Sequence, residues 1–184
     1  PKLSNSPLLL TMLDTNLWRI AAILMLSVTT LGPVAAGAMK NEPGDFKGVP
    51  WGAPLDAQGQ SLKLLTGDEI SANYRRDSDG KTFASVDAWR ISYRFYKQRF
   101  SSGIVVIVGN SNLKSVLDYL TQTYGPPEAV NSRHRIYEWQ GENAGISLSC
   151  DISISCYVEF YGKEMRALEL AEQGNAPDNN KRDD

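Results

Sequence analysis

From Ile146 to Phe160 every even-numbered position is apolar or cysteine: Ile146, Leu148, Cys150, Ile152, Ile154, Cys156, Val158 and Phe160. A period of two is the signature of extended backbone, because successive side chains of a strand point to opposite faces. The run is therefore β, and the chain must build a sheet with one apolar face. Fifteen residues exceed the usual strand length, which makes a hairpin turning near Ser153 the preferred form over one long strand. In the hairpin, Cys150 and Cys156 fall opposite each other on the core face, within reach of a bridge. In a single straight strand they stand roughly 20 Å apart and do not pair. The structural bridge is the expected role, since the pair lacks the Cys-x-x-Cys spacing that lowers a thiol pKa at a helix start.

Other strands follow from the same alternation. Ile70 to Arg76 reads as a modest strand, and Asp77-Ser78-Asp79-Gly80 as a turn into Thr82 to Val86. Between Ala88 and Tyr96, the residues Trp89, Ile91, Tyr93 and Phe95 share one face, and Arg90, Arg94 and Tyr96 share the other. Lys97-Gln98 then connects tightly to Phe100 to Val108, whose centre is apolar on both faces and so belongs mid-sheet. Arg133 to Gln140 supplies a further strand carrying Tyr137 and Trp139. One helix stands out, with Leu113, Val116, Leu117, Leu120 and Tyr124 at helical spacing. Asn110 or Ser111 caps it, Gly125 ends it, and Pro126-Pro127 stops continuation. Helical turns are expected in Pro54 to Leu65, with Leu55, Leu62 and Leu65 inward. A C-terminal helix is expected from Lys163 to Gln173, with Met165, Leu168 and Ala171 inward. The fold class is α+β: an antiparallel sheet of about five to seven strands packed against one main helix.

The N-terminal part is of another kind. Ile20 to Ala38 is apolar or small and uncharged, Arg19 flanks it, and Ala36-Gly37-Ala38 fits a small-residue cleavage pattern. Residues 1–38 are expected to be a signal peptide, with Met12 a candidate start and cleavage after Ala36 or Ala38. A retained membrane anchor is the competing reading, because the span is about the length that crosses a bilayer. Pro33, Gly32 and Gly37 argue against it. Residues 39–44 read as a linker, 45–173 as one domain, and 174–184 as a disordered tail. Export places the protein in the periplasm or outside the cell, where disulfides persist.

Charge is nearly balanced, 19 Lys and Arg against 21 Asp and Glu, and no basic stripe marks a nucleic-acid partner. His134 is the only histidine, which excludes a multi-histidine zinc site. The Asp77 turn does not match the spacing of a calcium loop, and Gly103 and Gly109 do not form a phosphate loop. No cofactor is expected. Asp87, Glu138 and Glu142 are carboxylates without a readable pair. The most distinctive surface candidate is aromatic and basic: Tyr96, Tyr157 and Tyr161, opposite the apolar parity, with Arg90 and Arg94. Such a mixture suits a binding patch; a lid of cross-strand pairs is the plainer alternative.

Taken in order, Phe46-Lys47-Gly48-Val49-x-Trp51-Gly52, the stretch Tyr93 to Phe100, Leu120 to Pro127 with its Tyr-Gly-x-Pro ending, and Tyr137-x-Trp139 resemble a group of small exported bacterial proteins without assigned activity. The resemblance spans about residues 45 to 161. It implies an exported α+β domain and transfers no functional residues. The expected function is an exported, non-enzymatic binding module for a protein or envelope component, touching the membrane only transiently through its signal segment. The alternatives are a hydrolase-like enzyme using His134 or carboxylates such as Asp87 and Glu138, and a membrane-tethered domain.

Overall fold

The computed structural model describes residues 39–131, 133–151 and 155–174. The expected signal segment with Ala36 and Ala38, the expected turn at Ser153, and the expected tail beyond residue 174 lie outside them. The period-two run folds as the expected hairpin, Ala144–Cys150 paired with Ser155–Gly162, and Cys150 faces Cys156 as its outermost described cross-strand pair. The two sulfurs lie at disulfide distance and the Cα atoms are 4.0 Å apart.

The strands, numbered along the chain, are β1 (Asp45–Phe46), β2 (Val49–Pro50), β3 (Leu62–Gly67), β4 (Ser71–Arg76), β5 (Thr82–Phe83), β6 (Val86–Asp87), β7 (Arg90–Tyr96), β8 (Arg99–Val108), β9 (Ala129–Asn131), β10 (Ile136–Gln140), β11 (Ala144–Cys150) and β12 (Ser155–Gly162). The helices are α1 (Leu113–Tyr124) and α2 (Lys163–Gly174). Eight strands form one antiparallel sheet in the order β3-β4-β7-β8-β12-β11-β10-β9, and β1-β2 and β5-β6 are separate two-stranded ribbons. The main sheet thus exceeds the expected five to seven strands, and the expected main helix is one of two, the other being the expected C-terminal helix. The extra strands are β3, an exposed edge whose Leu62 to Leu65 read as the end of the helical turns expected from Pro54, and the three-residue β9. A 3₁₀ segment, Asp56–Ser61, precedes β3, and Leu65 is exposed rather than inward.

One face of the sheet is the core. Ile91, Tyr93 and Phe95 of β7, Val105 and Ile107 of β8, Val158 and Phe160 of β12, Ile146 and Leu148 of β11, and Trp139 of β10 are buried there with Val116 and Leu120 of α1. β8 lies fourth of eight, which explains its apolar residues on both faces. The expected caps Asn110 and Ser111 fall in a 3₁₀ turn, Asn110–Asn112; α1 starts after Asn112, which makes no side-chain cap bond. The entry motif plugs the same face. Phe46 rests on Gly103, where a Cβ would lie 2.1 Å from its ring, and Trp51 stacks on Phe100 with ring centres 5.4 Å apart and seats beside Gly162. Residues 39–44 are stitched to the domain: Met39 is buried, Lys40 N–H donates to Tyr124 O (2.9 Å), and Glu42 accepts from the N–H groups of Glu142, Asn143 and Ala144.

Helix α2 crosses the opposite face. Only Met165 and Glu169 are buried in it, while Leu168 is 47 % exposed. The expected inward set of Met165, Leu168 and Ala171 is corrected to Met165 and Glu169, with Arg166 and Glu172 reaching the sheet. The helix docks on a polar face, so its apolar residues do not mark its buried side.

Candidate functional site

The β4–β7 ladder runs from Ser71↔Tyr96 to Tyr74↔Tyr93 and stops. Beyond it β4 stays with β3, pairing Arg75 with Lys63 and Arg76 with Leu62, while β7 stays with β8, pairing Ile91 with Val105 and Arg90 with Val106. The two inner strands separate, and a cleft of about 380 Å³ opens between them, lined by Leu65, Arg75, Arg76, Asp77, Asp79, Gly80, Lys81, Ala88, Trp89, Arg90 and Ile91. This volume is in the range of small-molecule sites.

Side chains hold the mouth of the cleft. Tyr93 Oη donates to Asp79 Oδ2 (2.6 Å), and Arg76 Nη2 pairs with Asp79 Oδ1 (3.0 Å) while its guanidinium lies 5.0 Å from the Tyr93 ring centre. Burial, and then the bond to Asp79, push the Tyr93 phenol far above its ordinary value. Asp77 pairs with Lys63 (2.5 Å) and Arg75 (3.4 Å). The hydrogen bond from Lys63, outweighing burial and joined by the Arg75 charge, holds the Asp77 carboxyl below its ordinary value. Both acids in the cleft therefore have cationic partners of their own. Lys81 and Arg90 have no ion pair among the described residues. The Arg90 guanidinium instead sits 4.9 Å from the centre of the Trp89 ring, and that ring is 66 % exposed. Trp89 was expected on the core face with Ile91. It precedes the first residue of β7, where strand parity no longer fixes its direction.

The five patch residues do share one face, the one opposite the core, but α2 occupies most of it. Arg94 pairs with the buried Glu169, whose other oxygen accepts from Ser101 Oγ (3.4 Å). Tyr96 is buried and donates to Glu172 Oε2 (2.7 Å); that bond, then burial, push its phenol up to about 12. Lys97 also pairs with Glu172 (2.6 Å), and the bonds from Lys97 and Tyr96 hold the Glu172 carboxyl below its ordinary value. Tyr161 accepts from Gln140 Nε2 (3.0 Å) beneath Arg166. Arg90 and Tyr157 remain exposed, on either side of Val106. Three of the five are thus covered by the chain itself, and Arg90 belongs to the cleft.

His134 is exposed in the turn before β10, and its backbone N–H donates to Asn131. Glu138 lies in β10, and Asp87 in the β5–β6 ribbon that packs beside β8. In strand order β10 is three places from β8, about 14 Å at the usual spacing, so the three candidate groups are not brought together. Among the described residues no cluster of three or more His, Cys, Asp or Glu side chains has a metal-binding arrangement. The cleft residues Arg75, Arg76, Lys81 and Trp89 were not singled out from sequence. The available signal was the density of cations around the Asp77 turn, in Arg75-Arg76 and Lys81, together with the Trp89-Arg90 neighbours. No protein-family model, no curated protein and no solved structure matches the chain.

Proposed function

We propose that the protein is an exported, non-enzymatic binding domain that meets an envelope component or envelope protein through the β4–β7 cleft. The observation that carries this reading is the exposed Trp89 ring with the Arg90 guanidinium over it at the rim of a cleft of ligand size. An exposed tryptophan held by a cation, beside other cations, is an unusual surface to leave uncovered, and aromatic and arginine side chains dominate recognition energies. The cysteine pair at disulfide distance fits an oxidising compartment, and the uncharged apolar run before residue 39 and the resemblance to exported proteins point the same way. Among the described residues no helix is long and apolar enough to cross a membrane.

The test is crosslinking in intact cells. A photoreactive phenylalanine replaces Trp89 in one variant and Val130, exposed on the far edge strand, in another. Adducts formed in the extracytoplasmic fraction from position 89 and absent from position 130 support the reading. Equal labelling from both positions, or a protein confined to the cytosol, overturns it.

A further inference from the structure

The cleft carries information about the chemistry of its occupant, and the inference that follows rests on the reading of the cleft as the binding site. We infer that it takes a small anionic sugar, a pyranose ring bearing a carboxylate or phosphate. Three observations lead there. First, Asp77 and Asp79 are matched by Lys63, Arg75 and Arg76, which leaves Lys81 and Arg90 as cations facing the cleft without a counter-ion among the described residues. That is a local positive excess in a chain whose formal net charge is −2, and it selects an anion.

Second, the Arg90 guanidinium lies over an indole, 4.9 Å from the ring centre. Its N–H donors carry no hydrogen bond among the described residues, and a guanidinium fork is suited to a carboxylate or phosphate through two parallel hydrogen bonds. Third, a bare inorganic anion needs neither the volume of about 380 Å³ nor an exposed ring. The Trp89 ring offers a flat apolar surface of the kind that packs on the C–H face of a sugar. The carboxylate oxygens of Asp77 and Asp79 and the backbone around Gly80 add acceptors and donors for ring hydroxyls. An aromatic anion would use the ring and the cations but would make no hydrogen bonds to that polar wall.

The experiment titrates the full-length protein recovered from its expressing cells with D-glucuronate, D-glucose 6-phosphate, D-glucose, phenyl phosphate and inorganic phosphate. Binding is read by calorimetry and by the indole N–H resonance assigned to Trp89 with Trp89→Phe. Both charged sugars are expected to bind and shift that resonance. Glucose should bind at least about tenfold more weakly, as expected for loss of a charge-assisted pair. Arg90→Lys, which keeps the charge and loses the fork, should lose most of the affinity with an unchanged amide spectrum, whereas Lys81→Arg should retain it. Glucose binding as tightly as glucuronate, phenyl phosphate binding more tightly than either charged sugar, or a Trp89 resonance unmoved by millimolar charged sugars each overturns the inference. Crosslinking from position 89 without sugar binding removes the ligand class and leaves the cleft as a recognition site. Sugar binding without crosslinking removes the cellular partner and keeps the ligand class.

Discussion

Replacing Glu169 by alanine tests how α2 is held to the sheet. Glu169 is 2 % exposed and its carboxylate faces Arg94, Ser101 and Gln173. The Arg94 Nε is already buried without a hydrogen-bond partner among the described residues. Removing the carboxylate while α2 stays docked leaves the guanidinium under the helix uncompensated, which costs about 3–5 kcal/mol. The apolar contribution to docking is chiefly Met165, whose burial supplies about 2–3 kcal/mol. The exposed pair Lys97–Glu172 adds little. The penalty equals or exceeds what holds the helix, so α2 should release rather than tolerate the charge. Glu169→Ala is expected to lower the unfolding free energy by about 3 kcal/mol in urea titrations. Amide exchange in residues 163–174 should become fast, while β8 and β12 stay protected. Arg94→Met with Glu169→Leu should recover most of the loss, because a buried pair is replaceable by apolar groups of similar volume. A loss below about 0.5 kcal/mol with α2 amides as protected as in the wild type would refute the reasoning, since the cost of a buried unpaired charge would then not be present at this site.

Gly103→Ala must displace the Phe46 ring from its seat, and an expected loss of about 3 kcal/mol in urea unfolding should largely vanish in a Phe46→Ala background. Removing the cysteine pair with Cys150→Ser and Cys156→Ser should cost about 2 kcal/mol by loop entropy, and only the wild type should then respond to dithiothreitol. Burial alone would raise the Glu42 carboxyl, but the N–H donors of Glu142, Asn143 and Ala144 and the charge of Lys163 hold it below its ordinary 4.5. Its contribution is therefore present above pH 4.5 and lost as pH falls through the lowered value, so the stability gap between wild type and Glu42→Gln should close on acidification. With Tyr96 raised from 10.0 to about 12 by its bond to Glu172 and then by burial, the native state holds that proton more tightly. Stability from this contact should be complete below pH 10 and decline between pH 10 and about 12, a decline absent in Tyr96→Phe.

The elements with a long, single-period pattern were legible. The 144–162 hairpin, the mid-sheet strand β8 and helix α1 each follow from apolar residues repeating over four or more positions. The misreadings sit where packing and periodicity part company. Leu55, Leu62 and Leu65 suggest a helical stripe, yet Leu62 to Leu65 lie in an edge strand with Leu64 60 % exposed, and an edge has no neighbour on one side to impose alternation. Leu168 looks inward on a helical projection but faces solvent, because α2 seats on arginine, tyrosine and serine side chains. The five-residue patch was placed on the correct face from strand parity alone. What parity does not convey is that a helix from the same chain, meeting it through Glu169 and Glu172, covers three of the five.

The cleft was invisible to sequence for a related reason: it exists because two ladders diverge. Extending the β4–β7 pairing past Tyr74↔Tyr93 would set Arg75 against Ser92 and Arg76 against Ile91, and close the space in which Trp89 and Arg90 stand. Instead Tyr93 reaches across to Asp79, and Arg76 turns to the same carboxylate and to the backbone of Lys47 (2.8 Å). These bonds replace ladder bonds with a side-chain brace that keeps the turn at Asp77 away from β7. The brace consumes the acids of the turn and leaves the cations, so the same contacts that hold the cleft open also give it its charge.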